Sequence, residues 1–383
     1  MDQGGNTSHV AILARSIGVP AVVGLKGRAV ALETGQQVAV DGTDGVIVTD
    51  PDEETLNRFR LLTRQQVVIN QKLEHLKDLE AVTPDGRRIQ MMANIELPVE
   101  VEEALARGAE GIGLLRTEYL FFQHHTIPTE DDQVRVYSEI VRRMDGRPVI
   151  FRTLDVGGDK VSDYLGAKRE YNPFLGWRGI RFSLANRHLF KTQIKAIARA
   201  AVVGPVKMMF PMVTSIHELD RALVLVDQVK EELRQEGLAF DEDLPIGVMV
   251  EVPALALIAD LLASRVDFLS VGTNDLVQYT LAVDRGNEHV ADLYDPVHPA
   301  VLRLLDSLLE VGRKWEIEVS VCGEMASEPI YLPLLLGMGL RKVSVGAHSV
   351  GTVKGVIREI QVFETQELAA RCLEMSDGVS ITR

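Results

Sequence analysis

From about residue 86 the chain alternates short, apolar, β-rich runs with helical stretches, and this alternation restricts the fold more than any other feature. The runs are 90–95, 111–115, 148–153, 207–213, 246–250, 268–272, 318–321 and 342–345. Between them, 99–107, 130–144, 216–235, 300–314 and 353–360 repeat apolar residues at helical spacing. Strands separated by helices pair in parallel through right-handed crossovers, and about eight such units close a (β/α)8 TIM barrel. The stretch 174–203 is longer than one unit needs, which predicts extra helices between the third and fourth strands.

The residues before the barrel read differently. Residues 1–50 give a loop, a helix over 10–16 and strands at 35–42 and 45–48 between glycine turns. Residues 51–82 hold no Gly and a single Pro at the start, with Leu56, Phe59, Leu62, Val67, Leu73, Leu76 and Leu79 at roughly helical spacing. The expected organisation is a small partial domain at 1–50, a helical linker at 51–85 and the barrel at 86–383. A chain that opens directly on a loop, with no strand before it, is expected to be the later part of something longer.

A net charge of -14 argues against nucleic acid as a partner, since phosphate backbones need a basic surface. No apolar run approaches the roughly 18 residues of a membrane span, and no signal peptide opens the chain. Two cysteines, Cys322 and Cys372, make no disulfide framework and suit a reducing cytoplasm.

Polar residues cluster by position. Asn94, Arg116, Arg152, Asp155, Glu251, Asn274, Asp275, Cys322 and Glu324 all fall at, or just past, the C-terminal end of a predicted strand. In a barrel of this kind that rim is where active sites are built. Any one such residue is more often structural, but so many charged groups on one rim favour a site. Arg116, Arg152, Arg178 and Arg285 could converge on a small polyanion, because guanidinium forks grip phosphate and carboxylate at any working pH. Arg181, Arg187 and Arg199 read as surface ion pairs. Glu251 and Asp275, on neighbouring strand ends, could share one hard cation such as Mg2+, which takes one or two carboxylates and completes its shell with water and substrate oxygens. Asp155 and Asp159 are weaker candidates, with Lys160 a further phosphate contact. Cys322 is either an inert buried thiol or, from its place on the rim, a proton donor. Cys372, on a late helix, reads as structural.

His9 ends the loop Gly4-Gly5-Asn6-Thr7-Ser8-His9. Thr7 or Ser8 can cap the helix that follows, and the imidazole then lies at a helix N-terminus that favours an attached phosphoryl group. A neutral imidazole nitrogen is a competent nucleophile near pH 7.

Taken together with 113–122, 152–160, 172–178, 247–253, 272–285 and 322–326, this loop resembles Enzyme I of the bacterial phosphoenolpyruvate:sugar phosphotransferase system, in its sugar or its nitrogen-related form. The resemblance spans nearly the whole chain. It implies that His9 takes the phosphoryl group of phosphoenolpyruvate while Glu251 and Asp275 hold Mg2+. It implies that Arg116, Arg152, Arg178, Arg285 and Asn274 clamp the anion, and that Cys322 protonates the enolate to give pyruvate. It further implies a homodimer and a small histidine-containing carrier protein as the next acceptor. The family's helical carrier-binding domain and the first part of its swivelling phosphohistidine domain would precede the present residues, so onward transfer to a carrier is expected to be weak or absent. Two other readings are a fragment of a phosphoenolpyruvate-utilising dikinase or synthase, and a non-catalytic module that binds phosphoenolpyruvate and dimerises.

Overall fold

The structure, a computed structural model, describes residues 19–25, 27, 32–42, 44–122, 127–156, 170–287, 289–376 and 378, leaving aside the side chains of 66 and 68–74. The chain divides into two compact units, Met1–Lys77 and Asp78–Arg383.

In the first unit, β1 (Val38–Asp41) and β2 (Val46–Thr49) form an antiparallel hairpin in which Val38 faces Thr49 and Asp41 faces Val46. A helix follows over Glu53–Glu74, opened by the Asp52 carboxylate, which accepts from the Thr55 amide at 2.8 Å. The helix expected at 10–16, and His9 with it, lie outside the described residues.

The second unit is a closed barrel of eight parallel strands in the order β10-β3-β4-β5-β6-β7-β8-β9. They are β3 (Gln90–Ile95), β4 (Ile112–Arg116), β5 (Val149–Arg152), β6 (Val206–Phe210), β7 (Ile246–Val250), β8 (Phe268–Val271), β9 (Glu318–Val321) and β10 (Lys342–Gly346). Each predicted run corresponds to one strand. The largest shift is at β6, expected to reach residue 213. It stops at Phe210 because Pro211 has no amide hydrogen for the ladder and Met212 turns left-handed, at φ 58°. The long insertion after β5 carries the anticipated extra helices, Gly179–Ala185 and Arg187–Ala200.

Helix ends follow local chemistry. Thr129 and Asp132 make a reciprocal capping box for helix Glu130–Arg143. Ser215 caps helix Ile216–Glu236, which ends on Gly237 in the left-handed region.

Side chains alternate along each strand, and this layers the interior. Leu114, Ile150, Met209, Met249, Phe268 and Cys322 form an apolar cluster of their own, separate from the larger one shared by strands and helices. Two residues beyond Leu114, Ile150 and Met249 come Arg116, Arg152 and Glu251, so an apolar floor lies beneath a charged rim. At the opposite end of the barrel, the Lys207 and Lys342 ammonium groups both donate to Glu318 Oε1, at 3.1 and 3.0 Å, and Lys207 also sits 5.1 Å above the Phe268 ring.

Candidate active site

Strand register makes the rim. Arg116 and Arg152 are direct partners across β4 and β5, and Val250 pairs with Val271, which sets Glu251 beside the start of helix Thr273–Leu281. Gly272 follows Val271; a Cβ there would stand 2.9 Å from Glu251 Oε2, so a larger residue would make the carboxylate shift.

Asp155, Glu251 and Asp275 each offer one oxygen, and the three oxygens lie within 4.8 Å of one another. Two guanidiniums are interleaved with them. Arg178 donates to both Asp155 oxygens, at 3.1 and 2.7 Å, to Asp275 Oδ2 at 3.0 Å, and to the Tyr279 hydroxyl at 3.1 Å. Arg152 reaches Asp155 Oδ2 at 3.2 Å and Glu118 Oε1 at 3.0 Å. Beneath it, the Met249 sulfur is 3.9 Å away.

Electrostatics set Asp155 and Glu251 apart. Burial would raise Asp155, but the Arg152 and Arg178 charges outweigh it and hold the carboxyl below its ordinary value. Glu251 is 2% exposed; burial first, then the negative charges of Asp275 and Asp155, push it up to about 8. Its Oε1 accepts from the Met212 amide at 2.7 Å, which is the use made of that left-handed backbone. Gly179, itself at φ 56°, allows the approach: a Cβ there would come within 2.6 Å of Met212 Cβ. Crowded, buried, hard oxygen donors are the chemistry that suits a small divalent cation. Asp155, Glu251 and Asp275 therefore fit one.

The remaining candidates border this cluster. Arg116 pairs with Glu96, and its charge also acts on Asp155 and Cys322. Asn274 donates to Glu324 Oε1 at 3.0 Å and accepts from the Glu324 amide at 2.7 Å, while Arg285 reaches the same Glu324 oxygen at 3.4 Å. Cys322 is 3% exposed, donates weakly to Val271 O at 3.5 Å, and burial pushes its thiol up to about 11. It therefore carries a proton at neutral pH. Asn94 stands apart from the charged cluster in use: its side chain ties Cys322 O, Ser344 O and the Ser344 hydroxyl, bracing the seam between β3 and its neighbours. His9, Asp159 and Lys160 lie outside the described residues.

Several participants were not singled out from sequence. Glu118 accepts from Arg152 and from the Asp155 amide, and Glu96 holds Arg116. Tyr279 bridges Arg178 to the Phe174 carbonyl, its hydroxyl pushed up to about 12 by burial. Gln193 joins the Leu154 amide to Thr117 beneath the strand ends. Only Glu118 left a signal in the sequence, two residues beyond Arg116 in the same short segment.

An eight-stranded parallel barrel whose carboxyl-end rim gathers carboxylates and guanidiniums defines the chain as an α/β-barrel protein with its charged groups concentrated at the strand ends. Residues 70–362 match the family described as PEP-utilising enzyme, PEP-binding domain, and residues 1–45 match PEP-utilising enzyme, mobile domain. The chain belongs to the PEP-utilising enzymes. It is 42% identical over 375 residues to the phosphoenolpyruvate-protein phosphotransferase of Priestia megaterium, covering 98% of this chain and 65% of that protein. With the protein of the same name from Bacillus subtilis it shares 42% over 377 residues, 98% of this chain and 66% of that one. With that of Geobacillus stearothermophilus it shares 43% over 373 residues, 97% and 64% respectively. The chain thus spans a little under two thirds of the length of the curated relatives it matches. No helix among the described residues is long and apolar enough to cross a membrane.

Proposed function

We propose that the chain performs the phosphoenolpyruvate half of a phosphotransferase reaction: it binds phosphoenolpyruvate on the barrel rim, moves the phosphoryl group to His9 and releases pyruvate. The observation that carries this reading is the meeting of Asp155, Glu251 and Asp275 with Arg152 and Arg178 at neighbouring strand ends. The resemblance to curated phosphoenolpyruvate-protein phosphotransferases supports it.

In this reading Glu251 and Asp275, with Asp155 beside them, would hold Mg2+, which when bound would supply positive charge against an anionic substrate. Arg152 and Arg178 grip the anion from the buried side, and Arg116, Arg285 and Asn274 from the outer side. Their fixed charges stabilise the transferring phosphoryl group without reorganisation. The neutral His9 nitrogen attacks phosphorus as the bond to the enol oxygen breaks. Cys322, still a thiol at neutral pH, gives its proton to the methylene carbon, and the product leaves as pyruvate. A histidine of a small carrier protein would be the next acceptor, a step beyond the half-reaction assigned to these residues. Residues 1–50 act as part of the phosphohistidine domain, 51–85 as the helical linker and 86–383 as the substrate-binding barrel. The working form is a cytoplasmic homodimer.

The direct test incubates the chain with phosphate-labelled phosphoenolpyruvate and Mg2+, following acid-labile label on protein together with pyruvate. Label and pyruvate that both vanish in His9→Ala support the reading. Pyruvate formation that persists unchanged in that variant would sink it.

A further inference from the structure

Glu118 occupies an unusual place for a carboxylate next to an arginine. It begins the short helix Glu118–Phe122 just beyond β4, and its side chain is only 15% exposed. One oxygen, Oε1, accepts from Arg152 at 3.0 Å and from the Asp155 amide at 2.7 Å. A carboxylate serving only to neutralise a guanidinium would gain most by gripping it with both oxygens. Here, among the described residues, Glu118 Oε2 and Arg152 Nε are both buried without a partner. A single oxygen therefore joins a β5 side chain to the β5–loop backbone from the neighbouring strand end, and leaves one guanidinium N–H unengaged.

We propose that Glu118 is a positioning residue that fixes two groups at once: the rotamer of Arg152 and the backbone that carries the Asp155 carboxylate. Asp155 is itself within the three-carboxylate cluster, so Glu118 sets the distance between the anion-gripping and cation-holding halves of the site without touching either ligand. The β4–β5 register, which makes Arg116 and Arg152 direct partners, brings Glu118 within reach. Thr117, between them in sequence, donates to the Arg152 carbonyl at 3.0 Å and pins the same backbone from the other side. The arrangement is a two-point clamp on the end of β5.

This inference rests on the proposed substrate, and its test separates the two. Phosphoenolpyruvate binding in saturating Mg2+ is measured by calorimetry for wild type, Glu118→Ala, Glu118→Asp and Glu118→Gln, with melting temperatures recorded for each. In parallel, the Arg152 Nε–H resonance, assigned by its loss in Arg152→Lys, is followed without ligand. Loss of a buried, charge-assisted acceptor corresponds to roughly 10- to 100-fold weaker binding, expected for Glu118→Ala and Glu118→Asp. Glu118→Gln, which keeps an acceptor oxygen at the same reach, is expected to stay within about tenfold of wild type. The Arg152 resonance should be sharp and slowly exchanging in wild type and Glu118→Gln, and broadened in the other two. Combined with Arg152→Ala, the Glu118→Ala effect should shrink without vanishing, because the contact to Arg152 is then already lost while that to the Asp155 amide remains. Folded variants that bind as wild type, or that add fully to Arg152→Ala, would overturn the proposal. Wild type that binds no phosphoenolpyruvate would overturn the proposed substrate instead. The Arg152 resonance would then decide the positioning role alone: broadening in Glu118→Ala upholds it, and an unchanged signal ends it.

Discussion

At the amino-terminal end of the barrel a single carboxylate, Glu318, accepts from two ammonium groups, and one of these also rests on the Phe268 ring. At the carboxyl end, guanidiniums and carboxylates are shared one among several: Asp155 serves both Arg152 and Arg178, and Arg178 reaches Asp275 as well. The first cluster closes on itself. The second leaves Arg152 Nε, Glu118 Oε2, Thr153 Oγ1 and Thr273 Oγ1 buried without partners among the described residues, while none of the Lys207, Glu318 or Lys342 polar atoms is left so. Buried polar atoms are normally paired, because leaving one unmade forfeits its hydration. Unmatched groups at the carboxyl end, against none in the Glu318 cluster, set the two ends apart. Charge density alone would not distinguish the two.

The sharpest way to break this contrast is Arg152→Ala. It strands Glu118 without its cation and leaves Asp155 with Arg178 alone, and removing one member of a buried pair typically destabilises by about 3–5 kcal/mol. Phosphoenolpyruvate binding should fall with it, by roughly 100-fold or more. A folded variant that retains wild-type affinity in calorimetry would place the anion elsewhere. Mg2+ comes next. A ligand at about 100 times its Kd stabilises the folded state by about 2.7 kcal/mol, so melting should rise with Mg2+ in wild type and stay flat in Asp275→Asn. An equal rise in the variant would remove the carboxylate trio from consideration as the cation site. Glu318→Gln tests the other end. It leaves two lysines facing each other and is expected to lower stability by about 1–2 kcal/mol, allowing for the partial exposure of the pair. Ligand affinity should not move; if it does, the two ends are coupled.

The smallest expected effect is in alkali. Burial raises the Cys322 thiol from an ordinary value near 9 to about 11. Across that window the folded chain keeps a proton that the unfolded chain gives up, so stability falls as pH rises. Cys322→Ala should flatten this part of the stability profile in denaturant titrations and leave the slope below pH 9 unchanged. Identical slopes throughout would mean that the thiol is less enclosed than its 3% exposure indicates.

Much of the barrel was legible because its signals are local. β3, β7 and β9 coincide with the predicted runs to the residue, each bounded by a change from apolar to polar or turn-forming residues. The rim followed, since strand ends carry the site in such barrels and Arg116, Arg152 and Glu251 stand at strand ends. What could not be read was which partner each rim group takes. Glu96 for Arg116, Tyr279 for Arg178 and Gln193 for the Leu154 amide come from loops and helices whose return to the rim is a matter of packing. The backbone amide given to Glu251 depends on a left-handed methionine, a conformation no propensity assigns. The end of β6 was missed by three residues, although Pro211 announced it.

The shared ion pairs carry one more consequence. Among the described residues four guanidiniums, of Arg116, Arg152, Arg178 and Arg285, stand against six carboxyl groups, of Glu96, Glu118, Asp155, Glu251, Asp275 and Glu324, and even with Glu251 held protonated by its burial the negative groups outnumber the positive. An anion that arrives first meets a surplus of its own sign, whereas one that follows a divalent ion meets a neutralised rim. The apolar layer below offers little screening, so that surplus is felt outward, along the approach. Timing, rather than shape, would then be the first filter the rim applies.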